Sequence, residues 1–122
     1  MKAPRMINTI DLFAGCGGLT EGFKLSGGYN YIAGVEWDIN ALNTLRERLR
    51  SKWKYHSADD IVLHFDIQRT DELLFGFNDD IYGKSDGLVN LAKGNSVDVV
   101  IGGPPCQAYS IAGRIRDKNG MH

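Results

Sequence analysis

An apolar run, a glycine turn and a short amphipathic stretch follow one another directly near the start of the chain. Met6-Ile7-Asn8-Thr9-Ile10-Asp11-Leu12-Phe13 reads as a buried strand, Ala14-Gly15-Cys16-Gly17-Gly18 as a tight turn, and residues 19–25 as a helix with Leu19, Phe23 and Leu25 facing inward. A strand that passes through a turn straight into a helix is the opening unit of an α/β protein, and the rest of the chain repeats it.

Gly27-Gly28 stops the helix, residues 29–35 form a second β-rich run, and residues 39 to about 53 a second helix in which Ile39, Leu42, Leu45 and Leu49 recur at helical spacing. Arg46, Arg48, Arg50, Lys52 and Lys54 crowd its end, where they suit the negative pole of the helix dipole on a solvated face; contact with phosphates is the other use for them. The pattern weakens after Ser57: a short strand over 61–65, a helix near 71–77 and a Gly/Asn/Asp-rich loop over 78–86 are expected. Val97-Asp98-Val99-Val100-Ile101 is then a largely β-branched run of the kind buried on both faces of a parallel sheet. No repeat, low-complexity segment or dividing linker interrupts the alternation, so the expected class is α/β with a doubly wound parallel sheet. At 122 residues, one core is expected, burying roughly two thirds of the unfolded surface.

A net charge of −1 provides no basic excess, so any grip on nucleic acid or membrane must be local. No signal-peptide core and no run of about 18 apolar residues is present, which leads us to expect a cytoplasmic protein with no membrane partner. Cys16 and Cys106 lie far apart, outside any CxxC or Cys/His cluster, and read as free thiols with no metal to bind.

In doubly wound sheets ligands gather outside the carboxyl ends of the strands, and four groups of residues fall there: the Gly15 turn, Glu36-Trp37, Asp66-Ile67 and Pro105-Cys106. Gly15, Gly17 and Gly18 let a ligand approach the backbone, and the amides opening the first helix favour an anionic or carboxylate-bearing one, although a glycine turn also serves as a plain turn. Glu36 follows at the interval where nucleotide-binding domains put an acid on the ribose hydroxyls, and Trp37 beside it could stack on adenine. The alternative has Glu36 capping the second helix and Trp37 packing on it, but Asp38 is the better placed cap. Asp66 could accept from an exocyclic amine or simply close a turn. Thr20 stands where a dinucleotide fingerprint would have its third glycine, which favours an adenosine-bearing ligand without a pyrophosphate.

Gly102-Gly103-Pro104-Pro105-Cys106 directly follows the last β-branched run. Two prolines fix φ and contribute no N–H, so they end sheet pairing and mount Cys106 on a stiff support. A thiol attacks as thiolate, and Gln107, Arg114 and Arg116 are nearby donors that would favour one. A merely buried cysteine would sit more naturally within the apolar run than after two prolines.

Together, Asp11-Leu12-Phe13-Ala14-Gly15-Cys16-Gly17-Gly18, Glu36-Trp37-Asp38 and Gly102-Gly103-Pro104-Pro105-Cys106-Gln107-Ala108-Tyr109-Ser110 resemble the DNA (cytosine-5)-methyltransferase family in content, order and spacing. The resemblance implies a Rossmann-like methyltransferase fold and S-adenosylmethionine as cofactor. It implies that Phe13, Gly15, Gly17 and Leu19 line the cofactor pocket, that Glu36 holds the ribose and Trp37 the adenine, that Asp66 and Ile67 lie at the adenine edge, and that Pro105 packs near cofactor and target base. It also implies that Cys106 attacks C6 of a cytosine flipped out of double-stranded DNA, with Gln107, Ser110, Arg114 and Arg116 in a loop closing on the DNA.

The family's later motifs are not in this sequence: the Glu-Asn-Val glutamate, the Arg-x-Arg segment, the target recognition domain and the terminal motif that completes the cofactor pocket. Residues 1–122 are therefore expected to be an N-terminal fragment of the catalytic domain, carrying the first half of the sheet and inactive alone. Its last strand should expose an apolar edge that pairs with the missing segment, with a second subunit or with another copy. A non-catalytic S-adenosylmethionine-binding module and a Rossmann-like oxidoreductase domain are the competing readings.

Overall fold

A computed structural model of the chain describes residues 5–103. Four parallel strands, β1 (Ile7–Asp11), β2 (Tyr29–Glu36), β3 (Val62–His64) and β6 (Val99–Ile101), form one sheet in the order β3-β2-β1-β6. The chain steps outward from β1 to β3, then returns across the sheet to lay β6 on the other side of β1. That reversal puts the topological switch point between β1 and β6. The α/β class and the parallel sheet expected from the alternation are both found.

Helices cover both faces. On one, α2 (Ile39–Ser51) buries Leu42, Leu45 and Leu49 against Val62, Tyr31 and Ala58 of the short helix α3 (Ala58–Ile61). On the other, α4 (Thr70–Phe75) and α5 (Leu88–Ala92) bring Leu73 and Leu88 onto Ile10, Val35 and Phe65. Asp38 caps α2, its side chain accepting from the Ala41 amide at 3.3 Å. Four of the five cations at the end of α2 have partners within the fold: Arg46 donates to the Val62 carbonyl, Arg50 pairs with Glu47 and Asp59, Lys52 pairs with Glu21, and Lys54 donates to the Ser51 carbonyl.

Several expectations are corrected. In α1 (Gly18–Ser26), Leu19 and Leu25 face solvent and Thr20 is the buried residue, because its hydroxyl donates to the buried Asp11 carboxylate at 3.0 Å. The inward face of α1 is thus set by a polar contact, with Phe23 edge-on to Tyr29 below it. Ile39, at the first turn of α2, is also exposed. Residues 78–86 are not a simple loop: β4 (Phe77–Asp79) and β5 (Gly83–Ser85) pair antiparallel as a hairpin, and α5 follows it where no helix was anticipated. The run over 97–101 is not buried on both faces, for Val100 is 56% exposed. Among the described residues β6 has β1 as its one neighbour, which makes it a sheet edge.

Candidate functional site

Three loops at the carboxyl ends of the strands enclose a cleft of about 230 Å³, closed on its fourth side by Gly103 just beyond β6. Phe13 and Gly15 reach it from β1, Glu36 and Trp37 from β2, Asp66 and Ile67 from β3. Six of the residues singled out in the sequence thus meet at one place. Gly17 and Leu19 stand apart. A Cβ on Gly17 would lie 2.7 Å from Leu45 Cδ1, so this glycine, with φ of 97°, lets the turn pack on α2, while Leu19 borders a shallow surface hollow on α1. Pro105, Cys106, Gln107, Ser110, Arg114 and Arg116 lie outside the described residues.

Two carboxylates organise the β1 loop. Asp11, fully buried at the end of β1, accepts from the Phe13 amide at 3.2 Å and from the Thr20 hydroxyl at 3.0 Å. Burial pushes its carboxyl above the usual range; the Thr20 and Phe13 hydrogen bonds oppose that shift and the charge of Glu36 adds to it. Glu36 itself takes the Gly15 amide on Oε1 at 2.7 Å and the Asp38 amide on Oε2 at 2.6 Å. It therefore braces the cap residue of α2 without being the cap. Each of its oxygens keeps a second lone pair for a hydroxyl donor.

Gly15 has φ of 58°, and a Cβ there would meet no atom within 4 Å, so the missing side chain leaves open space at this cleft-lining position. Across from it, Asp66 closes a turn by accepting from the Gln68 amide on Oδ1 at 2.9 Å, and Oδ2 makes no hydrogen bond among the described residues. Both readings of Asp66 are thus compatible with one side chain. Trp37 is 68% exposed at the rim, so it does not pack on α2. The walls between these polar groups are apolar, supplied by Leu12, Val35 and Phe65. Leu12 lay within the quoted glycine-turn stretch but had no role assigned, while Val35 and Phe65 had no motif to mark them; position at or beside strand ends was the available signal. Gly102 was part of the quoted proline-cysteine stretch, and a Cβ on it would come within 3.0 Å of the Phe13 ring.

A cleft with apolar walls, an exposed indole, a carboxylate at the ribose interval and a free aspartate oxygen fits an adenosine-bearing ligand. A larger cleft of about 400 Å³ opens between β3 and the hairpin, but Arg46, Lys84, Asp59 and Asp86 line it with both signs of charge and it collects none of the glycine-turn residues.

The family model for the C-5 cytosine-specific DNA methylase matches residues 7–122. The chain belongs to the C-5 cytosine-specific DNA methylase family. Among curated relatives, it is 34% identical over 113 residues to the Type II methyltransferase M.DdeI of Desulfomicrobium norvegicum, covering 93% of this chain and 21% of that protein. It is 32% identical over 108 residues to the Type II methyltransferase M.HgiDI of Herpetosiphon aurantiacus, covering 88% and 27%. It is 36% identical over 118 residues to the putative type II methyltransferase M.OihORF3336P of Oceanobacillus iheyensis, covering 94% and 21%. The chain spans about a fifth to a quarter of the length of these relatives. The matched residues 7–122 include the glycine turn, the Glu36 strand end and the proline-cysteine stretch.

Proposed function

We propose that this chain supplies the S-adenosylmethionine site and the nucleophile of a DNA (cytosine-5)-methyltransferase acting in the manner of a Type II modification enzyme. The observation that carries the reading is the meeting of Gly15, Glu36, Trp37 and Asp66 in one cleft, with the Glu36 carboxylate 2.7 Å from the Gly15 amide. Glu36 would accept the ribose hydroxyls on its remaining lone pairs, Trp37 would stack on the adenine, and Asp66 Oδ2 would accept from its exocyclic amine. Ile67 and Phe13 would exclude water from the base and sugar. When bound, the cofactor supplies an electrophilic methyl group on a sulfonium.

Cys106 follows Gly103, a residue of the cleft wall, by three positions in the sequence. Its thiolate would add to C6 of a cytosine flipped out of double-stranded DNA, which makes C5 nucleophilic toward the methyl group. Loss of the C5 proton and departure of the Cys106 thiolate then restore the aromatic ring. Pro105 would pack near cofactor and base, and Gln107, Ser110, Arg114 and Arg116 would contact the DNA, Ser110 and the arginines on its phosphates.

A calorimetric titration with S-adenosylmethionine, repeated on Glu36→Ala and with NAD, tests the cofactor half. Saturable binding that weakens without Glu36 supports it; preference for NAD would turn the reading toward an oxidoreductase domain. Trapping on DNA containing 5-fluorocytosine tests the nucleophile in the full-length enzyme. A Cys106-dependent covalent adduct is expected, and a binding module would give none.

A further inference from the structure

An exposed tryptophan is free to change rotamer unless something holds it, and Trp37 is held. Its Nε1 donates to the Tyr82 hydroxyl at 3.0 Å, and its carbonyl accepts from His64 Nε2 at 2.9 Å. The His64 ring in turn stands edge-on to Tyr82, with centroids 4.9 Å apart. Tyr82 lies in the β4–β5 hairpin, 45 residues from Trp37, in a region without any family motif.

The hairpin is a firm mount. Asp79 Oδ2 accepts from the amides of Ile81 and Tyr82 at 2.9 and 3.1 Å, and its Oδ1 accepts from Arg69 at 3.0 Å. The Arg69 guanidinium lies 4.8 Å from the centre of the Phe65 ring and 5.9 Å from that of Tyr82. Phe65 is itself a wall of the strand-end cleft, stacks on Phe77 of the hairpin at 3.9 Å, and meets the Tyr82 ring edge-on at 5.2 Å. Tyr82 thus has its backbone fixed by Asp79, its ring fixed by Phe65 and His64, and its hydroxyl directed at the indole.

We propose that Tyr82 is a positioning residue for the adenine end of the cofactor site, holding the Trp37 indole at the rim so that stacking needs no further ordering of the side chain. This rests on the reading of the cleft as an adenosine site. Ordering a side chain before the ligand arrives removes an entropic cost from binding.

Two measurements on the full chain separate the inference from the reading beneath it. The chain has two tryptophans, so a Trp53→Phe background leaves Trp37 as the sole emitter. There, without ligand, Tyr82→Phe should lower the steady-state anisotropy of Trp37 while the thermal midpoint stays within a few degrees; unchanged anisotropy would overturn the positioning role. Titration with S-adenosylhomocysteine should then show Tyr82→Phe weakening binding about three- to tenfold, as expected for one lost hydrogen bond, and showing no such effect once Trp37 is already Phe. The same loss in both backgrounds would overturn the inference and leave the cofactor reading standing. Lowered anisotropy in this chain, with no S-adenosylhomocysteine binding even by the full-length enzyme that supplies the motif expected to complete the pocket, would instead overturn the adenosine site, and the proposed role with it.

Discussion

Glu36 holds the Gly15 amide at 2.7 Å with one carboxylate oxygen and the Asp38 amide at 2.6 Å with the other. A single side chain therefore ties the glycine loop to the cap of α2, and its removal should be felt in stability as well as in binding. Glu36→Ala should weaken S-adenosylhomocysteine binding at least tenfold and cost about 1–3 kcal/mol of unfolding free energy. Glu36→Gln keeps an acceptor for Gly15 but turns an NH₂ toward the Asp38 amide, so an intermediate loss is expected in both. Calorimetry beside urea unfolding reads the two effects.

Gly15 and Gly17 should respond to alanine unequally. At Gly17 the new methyl would press on Leu45 at 2.7 Å with φ at 97°, and a loss of about 2–4 kcal/mol is expected from overpacking and backbone strain together. At Gly15 nothing lies within 4 Å and φ is 58°, so the strain alone costs about 1–2 kcal/mol. Gly15 lines the cleft, so ligand affinity should suffer more than stability. Equal unfolding midpoints for the two variants would contradict the packing role given to Gly17.

Asp11 should make the protein less stable as pH rises. Burial raises its carboxyl pKa above the unfolded value of about 3.9. Below that value both states are protonated and no penalty applies; as pH rises through the folded value the buried group ionises at a cost. Asp11→Asn can keep both contacts by making Thr20 the acceptor, and it lacks the ionisation. The stability of wild type relative to this variant should therefore fall from pH 4 upward in urea midpoints, and a difference independent of pH would contradict the assignment. Asp11→Ala, with the Phe13 amide and the Thr20 hydroxyl left unpaired, should be destabilised at every pH.

Asp98 works in the reverse direction at the joint between β1 and β6. The Asn8 amide, at 2.9 Å, and Arg5, at 2.5 Å, hold its carboxyl below the usual range. The stability it contributes is present above about pH 3.9 and is lost as pH falls through the lowered folded value. Hydrogen exchange of the Asp98 amide, which donates to the Asn8 carbonyl at 2.9 Å, should accelerate in that acid window beyond the intrinsic pH trend. Asp98→Asn should show the faster exchange already at neutral pH.

The parts of the fold legible in the sequence were those with a period or a motif behind them. Leu42, Leu45 and Leu49 announce α2 because an apolar stripe has one way to be buried, and the first two strands are long enough to stand out. Thr20 was missed because its burial is stabilised by a hydrogen bond to Asp11, and a polar residue on an inward face breaks the pattern that marks such faces. The hairpin was missed for lack of length: strands of three residues, set in a stretch over 78–86 rich in Gly, Asn and Asp, carry the composition of a loop. At the site, Phe13, Gly15, Glu36, Trp37, Asp66 and Ile67 were findable because strand ends converge in any doubly wound sheet. Gly17 looked like its neighbours, and only the three-dimensional approach of Leu45 separates a packing glycine from one that faces a ligand. The tie between Trp37 and Tyr82 joins residues 45 positions apart and had no local signal at all.

The order of strands also sets a timetable. β1 finds β2 about twenty residues downstream, but Asn8 meets its partner across the other edge, Asp98, at a separation of 90 residues. At roughly 5–20 residues per second, synthesis leaves that edge of the central strand open for roughly 5–20 seconds. A helix-covered half sheet of β1, β2 and β3 can assemble meanwhile, and β6 docks onto it as a late arrival whose loop closure is the longest in the sheet. Gly103 comes in with β6, so the wall it forms is the last part of the cleft to be put in place. A newborn chain thus spends its vulnerable interval with the cleft unfinished and the central strand open to wrong partners.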